Sequence, residues 1–460
     1  MKNYLVALLV LGLCLSCVEK KSKEKNTEDI TMDKVKFMTL DPGHFHAALV
    51  QKTMYPHVDS MLHVYAPEGP EVEDFLNKMK QYNSREENPT AWNVSTNLSA
   101  DYLEEMIAQK PGNVIVIAGK NSKKIDYILE AVKAGLNVFS DKPLVIDNLG
   151  FKKLKQAFKI AGKNGVIIYD IMTERFESTT MMQKLFSTVS SVFGELVDGT
   201  LEEPAVSKES VHHFFKNVSG SPLVRPAWFF DVNEEGDGIV DVTTHLVDLV
   251  QWEAFPDQVV DSTDIEMLIA KRWPTVLTLE QFTKVTNQDM FPDYLKKDLV
   301  DSKLHTFSNG EMNYKIKGKH AKVSVIWNYQ ASDGTGDTHY SVMRGTKSNL
   351  IIKQGAEENF KPTLYIESKT GINFESILNS ALRTVIIKEF PGTSVEKISD
   401  NRWRVNISDN FKIGHEAHFA QVTGNYLNYL KEGELPEWEI PNMITKYYTT
   451  IKAYEMAKEN

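Results

Sequence analysis

Cysteine is scarce in this chain of 460 residues. Its two cysteines, Cys14 and Cys17, both lie near the start. The rest of the chain therefore forms no disulfide, offers no thiol nucleophile and holds no metal through cysteine. A basic stripe is lacking too, because 62 acidic residues outnumber 52 lysines and arginines and leave a formal net charge of −10. Nucleic-acid binding is therefore not expected.

A long hydrophobic run is also missing. Lys2 precedes an apolar run over residues 4–15, which is too short for a permanent membrane span. Ser16 and Cys17 follow the run, and a polar stretch comes next. These features indicate a targeting segment rather than a transmembrane helix.

The targeting segment resembles a bacterial lipoprotein signal, although Cys14 stands where a leucine is usual. Residues 1–17 would then be the signal, with Cys17 as the lipidated residue, and residues 18–33 a flexible polar tether. We expect a protein anchored by its lipid to a membrane outside the cytoplasm, in the periplasm or cell envelope. A plain secretory signal is the alternative.

Strands and helices alternate over residues 34–172. We predict strands at residues 35–40, 61–65, 113–118, 137–140 and 165–169, with helices between them. The third of these strands is continuously apolar, as expected for a parallel strand buried on both faces. Such alternation is typical of right-handed β-α-β units, so the first domain is predicted to be a doubly wound α/β Rossmann domain.

The pattern changes to a strand-rich one over residues 173–460. Period-two alternation and turn signals predict an α+β domain with a large open antiparallel sheet. Helices are expected near the end, at residues 418–431 and 443–458. The predicted strands of this domain are residues 263–270, 276–282, 312–317, 323–329, 340–343, 349–353, 363–367 and 402–407.

The turn after the first strand bears on cofactor binding. A full dinucleotide fingerprint reads G-x-G-x-x-G and is followed by an acid at the end of the second strand. Residues 41–46 read Asp-Pro-Gly-His-Phe-His, so only the middle glycine, Gly43, is present, and Ala66 stands where the acid is expected. A dinucleotide bound here would touch Gly43, His44 and Phe45. The alternative is an α/β domain that has lost its cofactor.

Two distant stretches carry the chemistry. Lys142 follows Asp141 at the carboxyl end of a predicted strand. Asp241, His245 and Asp248 have the i, i+4, i+7 spacing that places side chains on one helix face. A lysine, an acid and a histidine converging on one cleft could move a proton on or off a hydroxyl.

Further polar residues are candidates for the same cleft. Asn121 follows a buried strand and could donate to a ribose or a nicotinamide, or simply complete a turn. Arg175, His213 and Trp228 are candidates for substrate binding, with Trp228 stacking on a pyranose face; the alternative is that they are surface or interface residues. No metal site is predicted, because the histidines at the ends of residues 415–418 lack the i, i+4 spacing of H-E-x-x-H.

These motifs occur in a fixed order: Asn121, then Ala-Val-Lys-Ala-Gly-Leu-Asn-Val-Phe-Ser-Asp-Lys-Pro ending at residue 143, then Arg-Phe at 175–176, then Gly-Asp-Gly-Ile-Val-Asp-Val-Thr-Thr-His-Leu-Val-Asp over residues 236–248. Together they resemble the glucose-fructose oxidoreductase/inositol dehydrogenase/rhizopine-catabolism family, Gfo/Idh/MocA, over roughly residues 35–252. The resemblance implies an NAD(P)-binding Rossmann domain followed by an open antiparallel sheet.

The resemblance also implies roles for single residues. Lys142 matches the lysine of the family's E-K-P motif, with Asp141 in place of the glutamate. Asp241 and His245 match the acid and histidine of its D-x-x-x-H motif. Asn121, Asp141 and Lys142 would lie near the cofactor, and Lys142, Asp241 and His245 would be catalytic. Which of Lys142 and His245 is the base stays open at this point.

The implied activity is hydride transfer between a carbohydrate or polyol hydroxyl and NAD or NADP. One alternative is an exported, glycosidase-like enzyme that holds NAD tightly, oxidises a sugar transiently and eliminates its substituent. Another is a cofactor-free, lipid-anchored sugar-binding protein. The sequence leaves the oligomeric state open, and a homo-oligomer is possible.

Overall fold

The structure is a computed structural model that describes residues 34–218, 221–332, 335–371 and 373–459. The predicted signal and tether, including Cys17, lie outside the described residues. Among the described residues, no helix combines the length and apolar character that crossing a membrane requires.

The first domain is built on a six-stranded parallel sheet of order β3-β2-β1-β4-β5-β6. Its strands are β1 (Phe37–Leu40), β2 (Met61–Ala66), β3 (Asn93–Leu98), β4 (Val114–Ile117), β5 (Asn137–Asp141) and β6 (Ile168–Ile171). The helices that connect them are α1 (His46–Val50), α2 (Pro70–Ser84), α3 (Tyr102–Gln109), α4 (Asn121–Lys133) and α5 (Asn148–Asn164). This strand order is that of the doubly wound Rossmann fold, so the predicted fold class is confirmed.

Local sequence explains the central strands and the helices around them. Every residue of β1 and β4 is buried, as their continuous apolar character predicts. Helix α5 begins where the side chain of Asp147 accepts a hydrogen bond from the Gly150 backbone N–H. It ends at Gly165, whose φ of 65° is the left-handed conformation that glycine adopts without a Cβ clash.

The sequence analysis did not predict strand β3. Its sequence, Asn-Val-Ser-Thr-Asn-Leu, is polar, and none of its residues is buried. It lies at the edge of the sheet and pairs only with β2. An edge strand open to solvent needs no apolar face, so hydrophobic patterning alone does not reveal it.

The second domain contains a large, mostly antiparallel sheet of order β10-β12-β13-β7-β14-β15-β16-β18-β17, with β11 paired to β12. Its strands are β7 (Val206–Phe215), β10 (Ile265–Leu277), β11 (Leu299–Val300), β12 (Lys303–Ile316), β13 (Lys319–Gln330), β14 (Thr338–Arg344), β15 (Ser348–Lys353), β16 (Thr363–Ser368), β17 (Ser394–Ser399) and β18 (Arg402–Asn406). The pair β7–β13 is parallel. A two-stranded ribbon lies apart from the large sheet and consists of β8 (Asn217–Val218) and β9 (Ser221–Pro222).

The described part of the second domain also contains helices, several of which pack against this sheet. They are α6 (Ser178–Ser187), α7 (Thr243–Ala254), α8 (Leu279–Thr286), α9 (Phe374–Ala381), α10 (Ile387–Glu389), α11 (His415–Glu432) and α12 (Glu439–Glu459). Helix α8 corrects the strand predicted at residues 276–282. Thr278 and Gln281 form a capping box, each side chain accepting from the other's backbone N–H, and this local bonding favours a helix.

Helix α11, the second-last helix, returns to the first domain and packs near α1 and β6. The ring of Tyr426 stacks on Phe139 of β5 with centroids 4.6 Å apart, and it lies parallel to Tyr169 of β6 at 5.9 Å. These aromatic contacts cover one face of the parallel sheet. The end of the chain thus helps to close the region at the carboxyl edge of β5.

Candidate active site

The candidate site lies where the two domains meet. Lys142 directly follows β5, at the carboxyl edge of the parallel sheet, and Asp241 lies two residues before α7. A cavity of about 1430 Å³ opens between them, lined by residues of both domains. Clefts at this edge are where open α/β sheets bind ligands.

Lys142 and Asp241 form an ion pair across the domain junction. Lys142 Nζ donates to Asp241 Oδ1 at 2.5 Å, and both side chains are about nine-tenths buried. Burial alone would lower the pKa of Lys142, but the carboxylates of Asp241 and Asp141 outweigh it and raise the pKa above the ordinary value. Lys142 is therefore an ammonium ion at neutral pH.

His245 lines the same cavity from the first turns of α7. Its Nδ1 is buried and has no hydrogen-bond partner among the described residues. Burial, followed by the charge of Lys142, holds the pKa of His245 well below its usual value. The imidazole is thus neutral and has a nitrogen left to accept a proton or a hydrogen bond.

Asp248 does not line the cavity with Asp241 and His245, contrary to the i, i+4, i+7 prediction. The helix begins only at Thr243, so Asp241 precedes it and helical spacing does not apply from that residue. Asp248 Oδ2 instead accepts from Arg175 Nε at 2.7 Å. The pKa of Asp248 is lowered because Arg175 and Lys446 outweigh the effect of burial.

Arg175 was expected to bind substrate, and the structure places it elsewhere. Its guanidinium bonds to Asp248 and also to Glu439 of α12, with Nη2 2.9 Å from Glu439 Oε1. Lys446 bridges Asp248 and Asp170 at 2.9 and 2.8 Å. Arg175 does not line the cavity, because its donors are taken up by Asp248 and Glu439 of the same domain. The link from this buried network to the first domain is Lys446, which pairs with Asp170.

Trp228 was expected to stack on a sugar, but it packs on the first turn instead. A Cβ added to Gly43 would lie 3.4 Å from Trp228 Cζ2. Trp228 Nε1 donates to Glu71 Oε1 at 3.2 Å, and the residue is only 5% exposed. Neither Trp228 nor Gly43 lines the cavity, so the predicted stacking and the predicted Gly43 contact are not found on its surface.

His213 also faces away from the cavity, whereas its neighbour His212 lines it. Both imidazoles lie near Asp337, with Nδ1–oxygen distances of 3.1 Å for His213 and 3.3 Å for His212. Lys216 Nζ donates to the same carboxylate at 2.5 Å. The polar wall opposite Lys142 is therefore organised by Asp337, which the sequence analysis missed because no local motif marks it.

The other residues that were expected to contact the cofactor do reach the cavity. His44, Phe45, Asn121 and Asp141 all line it. Asn121 Nδ2 donates to the Glu235 backbone oxygen at 2.5 Å, which ties α4 to the second domain. Of the six residues expected to hold the cofactor, Gly43 is thus the one that does not line the cavity.

Lys124 holds the backbone that carries Lys142. It is buried, and its Nζ donates to the backbone oxygens of Asp141 at 3.0 Å and Lys142 at 3.1 Å. These bonds fix the backbone that carries both side chains. A signal was present in the sequence, because Lys124 lies one helical turn after Asn121 and so shares its helix face.

Glu174 is a further cavity residue that the sequence analysis missed. Burial, together with the nearby carboxylate of Glu177, raises the pKa of Glu174 to about 7. His415 Nε2 lies 3.6 Å from Glu174 Oε1 and 3.2 Å from Thr173 Oγ1. A carboxyl group that keeps its proton near neutral pH can act as a general acid.

The described residues fit the nicotinamide half of a dinucleotide. The cavity reaches Asn121 and Lys142, which follow β4 and β5, and His245 lines it as well. At the other half, Trp228 lies against Gly43, and the Asp41 carboxylate accepts from Tyr127 OH at 2.7 Å and Lys123 Nζ at 3.3 Å. The charge of Asp41 is thus offset by protein groups.

A parallel sheet of this order, with a polar cavity at its carboxyl edge that a second domain also lines, is the arrangement in which doubly wound folds bind dinucleotides. The family model described as "Oxidoreductase family, NAD-binding Rossmann fold" matches residues 44–170. The model described as "Putative oxidoreductase C terminal domain" matches residues 182–458. The chain belongs to the Gfo/Idh/MocA oxidoreductase family, and the expected cofactor, NAD or NADP, is confirmed by that membership.

Solved structures agree with this assignment. A structure described as a "putative oxidoreductase" from Parabacteroides merdae is 52% identical, covers 93% of this chain and 98% of its own, and superposes with a TM-score of 0.91. Levoglucosan dehydrogenase in complex with NADH (11% identity, 93% and 97% coverage, TM-score 0.59) and GenD2 from gentamicin A biosynthesis in complex with NAD (13%, 93% and 95%, 0.55) share the fold. No curated protein matches the sequence.

Proposed function

We propose that this protein transfers hydride between a carbohydrate or polyol hydroxyl carbon and NAD(P), at the site formed by Lys142, Asp241 and His245. The observation that carries the proposal is that Lys142, its ion-pair partner Asp241 and His245 all line one cavity, and that His245 Nδ1 has no hydrogen-bond partner among the described residues. When bound, the nicotinamide supplies a carbon that accepts or gives up hydride.

The pKa directions suggest a division of labour that the sequence left open. Neutral His245 takes the hydroxyl proton as the carbon is oxidised. The Lys142 ammonium donates a hydrogen bond to the same oxygen and stabilises the charge that develops there. Asp241 balances the Lys142 charge and holds the amine in place.

The proposal is tested in two steps. Purified protein is denatured, and the released material is scanned by mass and absorbance for NAD(P). The native protein is then assayed with NAD and NADP against a panel of sugars and polyols, following absorbance of the reduced cofactor. Turnover of at least one such hydroxyl compound supports the proposal. No binding of either cofactor at millimolar concentration would favour the cofactor-free sugar-binding alternative.

A second candidate function is favoured by Glu174. An enzyme that oxidises a sugar transiently, eliminates its glycosidic substituent and then returns the hydride needs an acid for the leaving oxygen. Glu174 lines the cavity and keeps its proton up to a pH of about 7. The discriminating measurement is deuterium uptake from solvent at the carbon beside the oxidised one, during glycoside cleavage without added NAD.

We also propose that the mature chain is anchored outside the cytoplasm by a lipid on Cys17. The sequence support is the short apolar run followed by Ser16 and Cys17. Cell fractionation of the wild type and of Cys17→Ala tests it, with Cys14→Ala as the matched control. Unchanged membrane association of Cys17→Ala would refute the lipid anchor.

A further inference from the structure

We propose that His44, His46 and Asp141 form a binding site for a divalent transition-metal ion on the wall of the active-site cavity. The three side chains come from two elements that meet at the sheet edge: the first turn and the end of β5. One potential ligand atom from each lies within 4.8 Å of the others. All three residues line the cavity, so an ion bound there could take further ligands from it.

One of the two histidine contacts to Asp141, that of His44, has the length expected between two ligands of one metal ion. His46 Nδ1 lies 2.9 Å and His44 Nδ1 3.6 Å from the same oxygen, Asp141 Oδ2. Ligand atoms about 2.0–2.2 Å from a tetrahedral metal lie about 3.3–3.6 Å apart. A hydrogen bond accounts for the His46 contact, but 3.6 Å is too long for one from His44.

Packing holds both imidazoles in this arrangement. The rings of His44 and His46 meet edge to face with centroids 4.1 Å apart. Phe45 contacts both rings, and Phe419 of α11 lies 4.8 Å from His46. His44 Nδ1 also accepts a long hydrogen bond of 3.4 Å from the His46 backbone N–H, which an ion would replace. Little rearrangement is therefore needed to admit a metal.

The charges nearby are compatible with a cation. Lys142 is neutralised by Asp241, and Lys124 is engaged by the backbone oxygens of Asp141 and Lys142. Two imidazole nitrogens and one carboxylate oxygen suit zinc and other first-row transition metals, and leave at least one coordination position open.

The site also gives a physical reason for the departure from the glycine fingerprint. His46 stands where the fingerprint has its third glycine, and the spacing of His44 and His46 brings both rings to Asp141. Asp141 replaces the glutamate of the E-K-P motif and is shorter by one methylene, which suits a carboxylate that must meet two imidazoles in one place.

The test measures metal content directly. Full-length protein is purified in detergent, stripped with a chelator, dialysed against Zn²⁺ or Co²⁺, and analysed for bound metal and for visible Co²⁺ absorption. About one ion per chain is expected for the wild type and for His63→Ala, a histidine of β2 outside the cavity. His44→Ala and His46→Ala should each weaken Co²⁺ binding by about tenfold or more.

His44→Ala is the more informative variant, because its contacts to Asp141 and to His46 are long and its loss should not disturb folding. Circular dichroism of each variant confirms that it folds. Metal-free wild type under these conditions, or Co²⁺ binding unchanged in both variants, would overturn the proposal. NAD(P) titration of the same samples is a separate readout, so a failed metal site and a failed redox function can be told apart.

Discussion

Two regions at the carboxyl edge of the parallel sheet differ in how far they keep the family's motif residues. At the catalytic end, Lys142, Asp241 and His245 keep the motif residues and meet on an open cavity. At the first turn, only Gly43 of the glycine pattern remains, and Trp228 of the second domain packs on it. Residues that handle a proton are tied to one geometry, whereas residues that hold phosphates and ribose can be replaced by different side chains and backbone donors.

The largest expected effect sharpens this comparison at its catalytic end. His245→Ala and Lys142→Ala should each slow turnover of an accepted substrate by about 10²–10⁴-fold, because each removes a positioned proton-handling group. Cofactor affinity should stay near the wild-type value, since the first turn is untouched. Steady-state kinetics and calorimetric titration of each variant measure both quantities. If both variants turn over normally, the assigned site is wrong.

The next effect concerns stability rather than chemistry. Arg175→Met should lower the free energy of unfolding by about 3–5 kcal/mol, because it leaves Glu439 buried without its guanidinium partner and removes one of the two cations at Asp248. Glu174→Gln, at the neighbouring residue, is the matched control and should change the free energy of unfolding little. Urea denaturation of the two variants compares them. Equal free energies of unfolding for Arg175→Met and the wild type would contradict the structural role of Arg175 and favour the earlier prediction that it binds substrate.

A smaller effect separates the two candidate reactions by pH. If Glu174 protonates a leaving oxygen, kcat/KM for a glycoside should fall about tenfold per unit as the pH rises above about 7, where the carboxyl loses its proton. Glu174→Gln should then be slow at every pH. A simple hydroxyl oxidation needs no such acid, and its rate in this range should not fall with rising pH. The pH dependence of kcat/KM, measured for the wild type and for Glu174→Gln with a glycoside and with a simple polyol, decides between the two reactions.

Much of this arrangement follows from sequence. Continuous apolar strands such as Val114–Ile117 predict a parallel sheet, because only burial on both faces tolerates them. Lys142 at the end of one such strand must then lie at the ligand-binding edge. The family motif adds that Asp241 and His245 join it, which composition alone does not give.

The positions of Arg175 and Trp228 were not predicted, because each is set by a partner far away along the chain. Arg175 is drawn into the core by Glu439, and Trp228 is drawn to the first turn by Glu71, at separations of 264 and 157 residues. No local pattern encodes such contacts. The polar edge strand Asn93–Leu98 was missed for the opposite reason, since it needs so little burial that its sequence carries no apolar signal.

The smallest expected effect tests the first turn. Ala66 ends β2 where the fingerprint has an acid, and it is 1% exposed, so no carboxylate at that position can bond a ribose 2′-hydroxyl or repel a 2′-phosphate. Dissociation constants for NAD and NADP should therefore differ by less than about tenfold, or about 1.4 kcal/mol. Calorimetric titration of both cofactors into the same sample measures the ratio. A preference of more than a hundredfold would mean that a residue other than Ala66 selects between NAD and NADP. The residues near the first turn would then be as restricted in identity as Lys142, Asp241 and His245.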